Sequence, residues 1–328
     1  MRTATLALTV TMLFPVATDA RAQSVEIEEW AVPYGGRPRD PDVDARGRVW
    51  FVGQAGNYIG RFDPASGEFR RYELEEGTHP HNLVVDAEGM IWYAGNRNAR
   101  IGRLDPESGK AEIFRMPDPA ARDPHTLTFD SKGDVWFTVQ GGNFIGRLTR
   151  STGKVDLVRV PTERARPYGI KIDSRDRPWV VLFGTNKLAT VDPGTLQLAE
   201  HTLPRATARP RRLEITADDR VWYVDHEEGY LGQFDPGSGD VEEWRTPGGA
   251  QSRPYATALD SEGRIWFFES GVIPNRLVGF DPRTEQFFAQ AELSGQRNTV
   301  RHAVFHEPTG TIWFGTDTEK IGRARVVR

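Results

Sequence analysis

The 328-residue chain contains no cysteine. Disulfides, thiolate metal sites and a cysteine nucleophile are therefore excluded. It also lacks an excess of either charge. A formal net charge of -4 gives no reason to expect nucleic acid or an anionic membrane as partner. Long apolar runs are scarce. The one at the N-terminus, Ala4 to Val16, is shorter than the ~20 residues that cross a bilayer. It follows Arg2 and precedes Ala20-Arg21-Ala22, a small-x-small cleavage pattern. Residues 1–22 thus read as a signal peptide, with Gln23 opening the mature chain. The expectation is an exported protein, periplasmic or secreted, monomeric, without membrane insertion, that takes a small-molecule ligand. Glycine and proline, in contrast, are plentiful at 33 and 22, which suits a fold of many tight turns.

What fills the chain is a repeat. Tryptophans stand at Trp50, Trp92, Trp136, Trp179, Trp222, Trp266 and Trp313, at intervals of 42, 44, 43, 43, 44 and 47. Each follows a turn cluster, as in DARGRVW, DAEGMIW and DSKGDVW. About nine residues later comes Ile-Gly-Arg or a variant, as at Ile59-Gly60-Arg61 and Ile321-Gly322-Arg323. A second turn and an alternating stretch close the unit. Period-2 alternation with turn signals every 8–12 residues indicates antiparallel sheet. Four short strands in roughly 40–45 residues form one propeller blade. The expectation is all-β: a seven-bladed β-propeller of four-stranded antiparallel blades, a single domain over residues 23–328. The seventh unit ends after its third strand. Val25 to Trp30 resembles Asp240 to Trp244, the closing strand of the fifth unit. The N-terminal strand should therefore complete blade 7 and remove an open edge.

In six units a proline lies twelve residues before the tryptophan and opens the innermost strand. The next residues should share one height at a mouth of the central channel: Arg39, His81, His125, Tyr168, Arg211, Tyr255 and His302. Convergent titratable groups at a concave mouth point to a site. The bland alternative is that Pro-aromatic merely caps the strand in a watery channel. Gln54, Asn96, Gln140, Asp225, Glu269 and Asp317 follow the tryptophans at the same end. Of these, Asp225, Glu269 and Asp317 could make an acidic arc for a hard divalent cation, or balance Arg211 and Arg301. His201, His226 and His306 lie off the strand starts and read as structural or solvated.

These units, P-[HY]-[GAT]-…-D-x-x-G-x-[IV]-W-F-…-N-x-I-G-R, resemble those of the virginiamycin B lyase (streptogramin B lyase) family over residues 25–328. The resemblance implies a seven-bladed propeller. It also implies Mg²⁺-dependent lyase chemistry that opens a cyclic depsipeptide antibiotic by β-elimination at an ester. The family's essential histidine falls on His302. Its partner histidine falls on Tyr255, its two metal-linked glutamates on Val300 and Asp317, and a first-blade tyrosine on Arg39. Losing one carboxylate halves the charge offered to Mg²⁺, and histidine to tyrosine removes a group titrating near neutrality. These changes argue against turnover of a streptogramin itself.

The symmetry of a propeller allows the same pairing elsewhere on the ring. Pro80-His81 and Asp123-Pro124-His125 repeat the family's His and acid-x-His on blades 2 and 3. His81, His125 and Asp123, with His302 across the channel, are the candidate catalytic set. A histidine would take an acidic proton beside a carbonyl while a cation or Arg39 holds the oxyanion. Arg39, Tyr168, Arg211, Tyr255 and Arg301 are the candidate substrate contacts, and the arginines favour an anionic or carbonyl-rich ligand. Asp317 and Glu269 are the candidate Mg²⁺ ligands. The expected function is a lyase of a cyclic ester, lactone or related molecule, with a hydrolase or calcium-dependent lactonase as a lesser choice. A non-catalytic periplasmic propeller that binds a ligand or protein is the alternative.

Overall fold

The computed structural model describes residues 24–327, so the signal-peptide reading of residues 1–22 lies outside the described residues. Twenty-eight strands form seven four-stranded antiparallel sheets arranged in a ring. The first blade runs Pro38–Val43, Val49–Gly53, Tyr58–Asp63 and Glu68–Glu73 from the axis outward. Five further blades repeat this order. The seventh is closed by the other end of the chain: Ser24–Ala31 pairs antiparallel with Lys320–Val327. This is the ring closure that the N-terminal strand predicts.

The turn cluster before each tryptophan has a mechanical reason. In blade 2, Asp86 Oδ1 accepts from Glu88 N at 3.1 Å and Met90 N at 2.8 Å, while Oδ2 accepts from Trp92 Nε1 at 2.8 Å. One carboxylate thus fixes a tight turn and anchors the indole six residues on. Asp44, Asp130, Asp173 and Asp260 hold Trp50, Trp136, Trp179 and Trp266 in the same way. Gly89 takes φ 80° in this turn, and where glycine is missing Asp176 and Asp219 supply the left-handed residue at φ 60° and 62°. Blade 5 has Thr216 in place of the aspartate, and the buried Trp222 Nε1 has no hydrogen-bond partner among the described residues.

The core is divided into layers between neighbouring blades. Trp50, Val52, Ile59 and Tyr72 of blade 1, for example, pack against Leu83, Ile91, Tyr93 and Leu104 of blade 2. The second strands are buried along their whole length. The innermost strands carry an irregularity just after their opening residue, between Pro124 and Leu127 in blade 3 and at the matching place in the others. Such a bulge re-aims consecutive side chains, and it is here that the channel lining begins.

Candidate functional site

Strand pairing fixes which residues share a height. Pro38 pairs with Gly53, Pro254 with Glu269, and Val300 with Thr316. Val300 therefore takes the proline position in blade 7. The ring at the mouth is Arg39, His81, His125, Tyr168, Arg211, Tyr255 and Arg301. His302, expected in that ring, lies one step deeper. The reason is one extra residue in the turn from His306 to Trp313, which includes a short 3-10 segment, Glu307–Thr309. Counting back from the tryptophan hides that shift.

The ring side chains converge. His81 and His125 pack at a tilt with ring centroids 3.6 Å apart, and the His125 ring centroid lies 4.1 Å from that of Tyr168. The hydroxyls of Tyr168 and Tyr255 share a hydrogen bond across blade 5. From blade 5, Arg211 places its guanidinium 3.8 Å from the Tyr255 ring centroid and 4.5 Å from that of Phe183. Arg39 Nη1 donates to Gln54 Oε1 at 3.0 Å, and Arg301 forms a two-point ion pair with Asp317, at 3.0 and 2.7 Å. A second collar surrounds the first at the residue four past each tryptophan: Gln54, Asn96, Gln140, Phe183, His226, Ser270 and Asp317. Within it, His226 meets Tyr255 edge-on at 5.5 Å.

Beneath the ring a second layer closes the channel, and the sequence reading missed it. Arg212 reaches from blade 5 to Asp40 Oδ2 on blade 1 at 3.2 Å, to Thr126 Oγ1 on blade 3 at 3.1 Å and to the Arg301 carbonyl on blade 7 at 3.1 Å. Asp40 also accepts from Arg39 Nε at 2.9 Å and from Asn82 Nδ2 at 3.2 Å. Thr126 Oγ1 meets His125 Nδ1 at 2.8 Å. The only hint in the sequence was the doubled arginine of Pro210-Arg211-Arg212. Below this plug a pocket of ≈ 110 Å³ opens, lined among others by Asp42, Lys171, Glu214, Thr257 and His302. Lys171 and Glu214 pair within it at 2.9 Å.

Electrostatics separate the candidates. Burial, followed by Arg39, Arg212 and Arg301, pulls His81 well below the usual histidine range. Burial, His81 and Arg212 do the same to His125. Burial and Arg212 take His302 down to about 3. All three imidazoles are neutral at ordinary pH and weak as bases, because burial first and the nearby cations second disfavour the charged form. The Tyr255 phenol is lowered as well, which makes it a stronger acid than usual. Burial alone would raise it, but Arg211, Arg39, Arg212 and Arg301 outweigh burial and hold it at about 8.

The expected acids do other work. Both Asp123 oxygens accept backbone amides, from Gly141 N at 2.5 Å and Gly142 N at 2.9 Å. No hydrogen bond joins Asp123 to His81 or His125 among the described residues, so the blade 2–3 triad reduces to its two imidazoles. Glu269, fully buried, accepts from Gly248 N at 2.7 Å and Arg276 Nε at 2.6 Å. Asp225 is likewise buried and is tied to Arg205 at 2.6 Å. Asp225 and Glu269 end their strands one register position before the collar that carries Asp317. The acidic arc is therefore not one surface, and each of its carboxylates already faces an arginine. No group of three or more His, Asp or Glu suited to a metal occurs among the described residues. This arrangement does not fit Mg²⁺, which asks for several converging oxygens.

A closed propeller whose channel mouth is ringed by arginine, tyrosine and histidine defines the class of this molecule: a β-propeller with a cationic axial site. The family model that matches residues 43–324 is that of the virginiamycin B lyase family, and the chain belongs to that family. Among solved structures it is similar to selenomethionine-substituted virginiamycin B lyase from Staphylococcus aureus. That match has 23% identity and a TM-score of 0.84, and covers 92% of this chain and 100% of that one. A structure described as streptogramin B lyase matches with 24% identity and a TM-score of 0.84, covering 94% and 100%. A catalytically inactive variant of the S. aureus enzyme with quinupristin matches at 24% identity and a TM-score of 0.83, covering 92% and 100%. No curated protein matches the chain. At these identities the likeness carries the fold.

Proposed function

We propose that the protein is an exported carbon–oxygen lyase of the propeller type, acting on a cyclic ester, lactone or other carbonyl-rich, anionic small molecule at the arginine-ringed mouth. One observation carries this reading. Three buried polar atoms at the mouth have no hydrogen-bond partner among the described residues: Arg39 Nη2, Arg211 Nε and His81 Nδ1. The two arginine nitrogens are donors, and burying a donor without an acceptor costs about 1–3 kcal/mol, so an incoming oxygen-rich ligand has donors waiting for it. A carboxylate or enolate oxygen suits the two guanidinium groups. The neutral imidazoles of His81 and His125 suit a carbonyl. In β-elimination the carbon beside the carbonyl loses a proton and the β-carbon releases the ester oxygen as a carboxylate, which arginines can receive. Streptogramin is not the proposed substrate. Tyr255, Val300, Asp317 and Arg39 stand where the family resemblance places a histidine, two glutamates and a tyrosine.

The test is a panel of lactones and cyclic esters incubated with the mature protein and followed by mass spectrometry and near-ultraviolet absorbance. Elimination opens the ring without changing mass and creates a conjugated alkene. Hydrolysis adds one water. Mass-neutral opening by the native protein, lost in Arg211→Gln, is the expected result. Water addition, or binding with no turnover across the panel, would turn the assignment to a hydrolase or to a non-catalytic binding propeller.

A further inference from the structure

We infer that Tyr255 is the acid–base residue of the mouth, and that an anion held by Arg39 and Arg211 competes with its phenolate for the same cations. This rests on the function proposed above for the place where the ligand sits.

The argument begins with charge. Four arginines act on Tyr255 electrostatically, Arg211, Arg39, Arg212 and Arg301, and of these Arg211 and Arg301 stand 3.8 and 5.7 Å from its ring centroid. Two carboxylates are available to them. Asp40 is taken by Arg39 and Arg212, and Asp317 by Arg301. Arg211 makes no ion pair among the described residues, yet it stands 3.8 Å over the Tyr255 ring. Of the charges that favour the Tyr255 phenolate, Arg211 contributes the most. Tyr168 completes the arrangement. Its hydroxyl is hydrogen-bonded to that oxygen, and burial together with Tyr255 raises its own ionisation above the usual tyrosine range. Tyr168 therefore stays protonated and donates to the phenolate. The remaining titratable neighbours are His226, edge-on to Tyr255, and His125, packed at a tilt against Tyr168. Burial and then Arg211 hold His226 at about 3. Both imidazoles are neutral and add no opposing charge.

The imidazoles are too weak to accept a carbon-bound proton, whereas the Tyr255 phenol, at about 8, combines a populated anion with real basicity. In the elimination, the Tyr255 phenolate oxygen forms the new O–H bond. The electron pair of the broken C–H bond becomes the carbon–carbon double bond, and the pair of the broken C–O bond leaves with the carboxylate. Tyr255 then returns its proton to solvent. When a ligand carboxylate occupies Arg39 and Arg211 it takes over their charge, so proton affinity at Tyr255 rises. Linkage requires the converse: ionised Tyr255 weakens binding of the anion.

The experiment is a pH titration of tyrosinate absorbance on the mature protein, with sodium acetate as the probe. Eight tyrosines are present in the chain. One should ionise with a midpoint near 8, well ahead of the ordinary value of about 10. Tyr255→Phe should remove that step. Arg211→Gln should move it toward 10, which supplies the test should Tyr255→Phe fail to fold. Acetate should shift the midpoint upward in the native protein. A step near 8 that persists in Tyr255→Phe, or no tyrosine ionising ahead of the rest, overturns the assignment. A step that disappears in Tyr255→Phe but ignores acetate overturns the competition and the anionic-ligand reading with it. A step that behaves as expected while no lactone or cyclic ester is opened leaves Tyr255 as the titrating group and overturns the lyase reading alone.

Discussion

Asp40 is the point at which the channel plug can be broken. Its carboxylate is fully buried and holds two buried guanidinium groups, Arg39 at 2.9 Å and Arg212 at 3.2 Å. Asp40→Asn keeps the shape and one acceptor oxygen but removes the charge. Removing one partner of a buried ion pair typically costs about 3–5 kcal/mol, because the other charge is left uncompensated. The retained amide oxygen offsets part of this, so a loss of about 3 kcal/mol is expected. Arg212→Met alone leaves Asp40 still paired with Arg39 and should cost less. In the double variant, Arg39 is the sole buried cation left from the triad. The two single losses should then exceed the double loss by at least about 1 kcal/mol, within the range seen for contacting residues. Urea unfolding of the four proteins at neutral pH measures this directly. The sign with pH is also fixed. Arg39 and Arg212 outweigh burial and depress the folded-state ionisation of Asp40. Its contribution is thus complete above the ordinary aspartate range and is lost as pH falls through the depressed value. Additivity within about 0.5 kcal/mol would refute the claim that Arg212 and Asp40 act as one bridge.

Three further outcomes follow from the same contacts. His81 and His125 ionise below their unfolded value of about 6.5, so the unfolded chain binds more protons than the native one below that pH. Stability should therefore be highest above about 6.5 and fall on acidification, by about 1.4 kcal/mol per pH unit for each histidine while the native ring stays neutral. The urea midpoint compared at pH 7 and pH 5, with His81→Gln flattening the slope, checks this. Thr216→Asp should give the buried Trp222 Nε1 the acceptor that five other blades provide, for a gain of about 1 kcal/mol; an unchanged urea midpoint would mean that the threonine turn already meets the need. Neither Mg²⁺ nor EDTA should move the melting temperature, because Asp317 and Glu269 already face Arg301 and Arg276. A rise of several degrees with Mg²⁺ would show that these carboxylates rearrange to bind it.

The blade count, the four-strand unit and the closure of blade 7 by Ser24–Ala31 were legible because each rests on local chemistry. An aspartate that caps its own turn and anchors a tryptophan six residues on is a rule written within one repeat. So is the strand-opening proline that marks Arg39, His81, His125, Tyr168, Arg211 and Tyr255 as mouth residues. The metal arc failed for a physical reason. Asp225 and Glu269 end their strands one position before the register of Asp317, and successive residues of a strand face opposite ways. The partners of Asp123 were not legible either, since its carboxylate accepts the Gly141 and Gly142 amides, 18 and 19 residues on.

By itself the sequence determined a seven-bladed ring and the identity of the side chains offered to its axis, because repetition and period-2 patterning are properties of the chain. Only the tertiary structure decided which of those side chains meet. Arg212 and Asp40 are 172 residues apart and touch because a ring brings blade 5 opposite blade 1. The Tyr168–Tyr255 bridge spans 87 residues for the same reason. The balance of charge at the mouth, which leaves Arg211 without a carboxylate partner among the described residues and lowers the Tyr255 ionisation, is a sum over several blades.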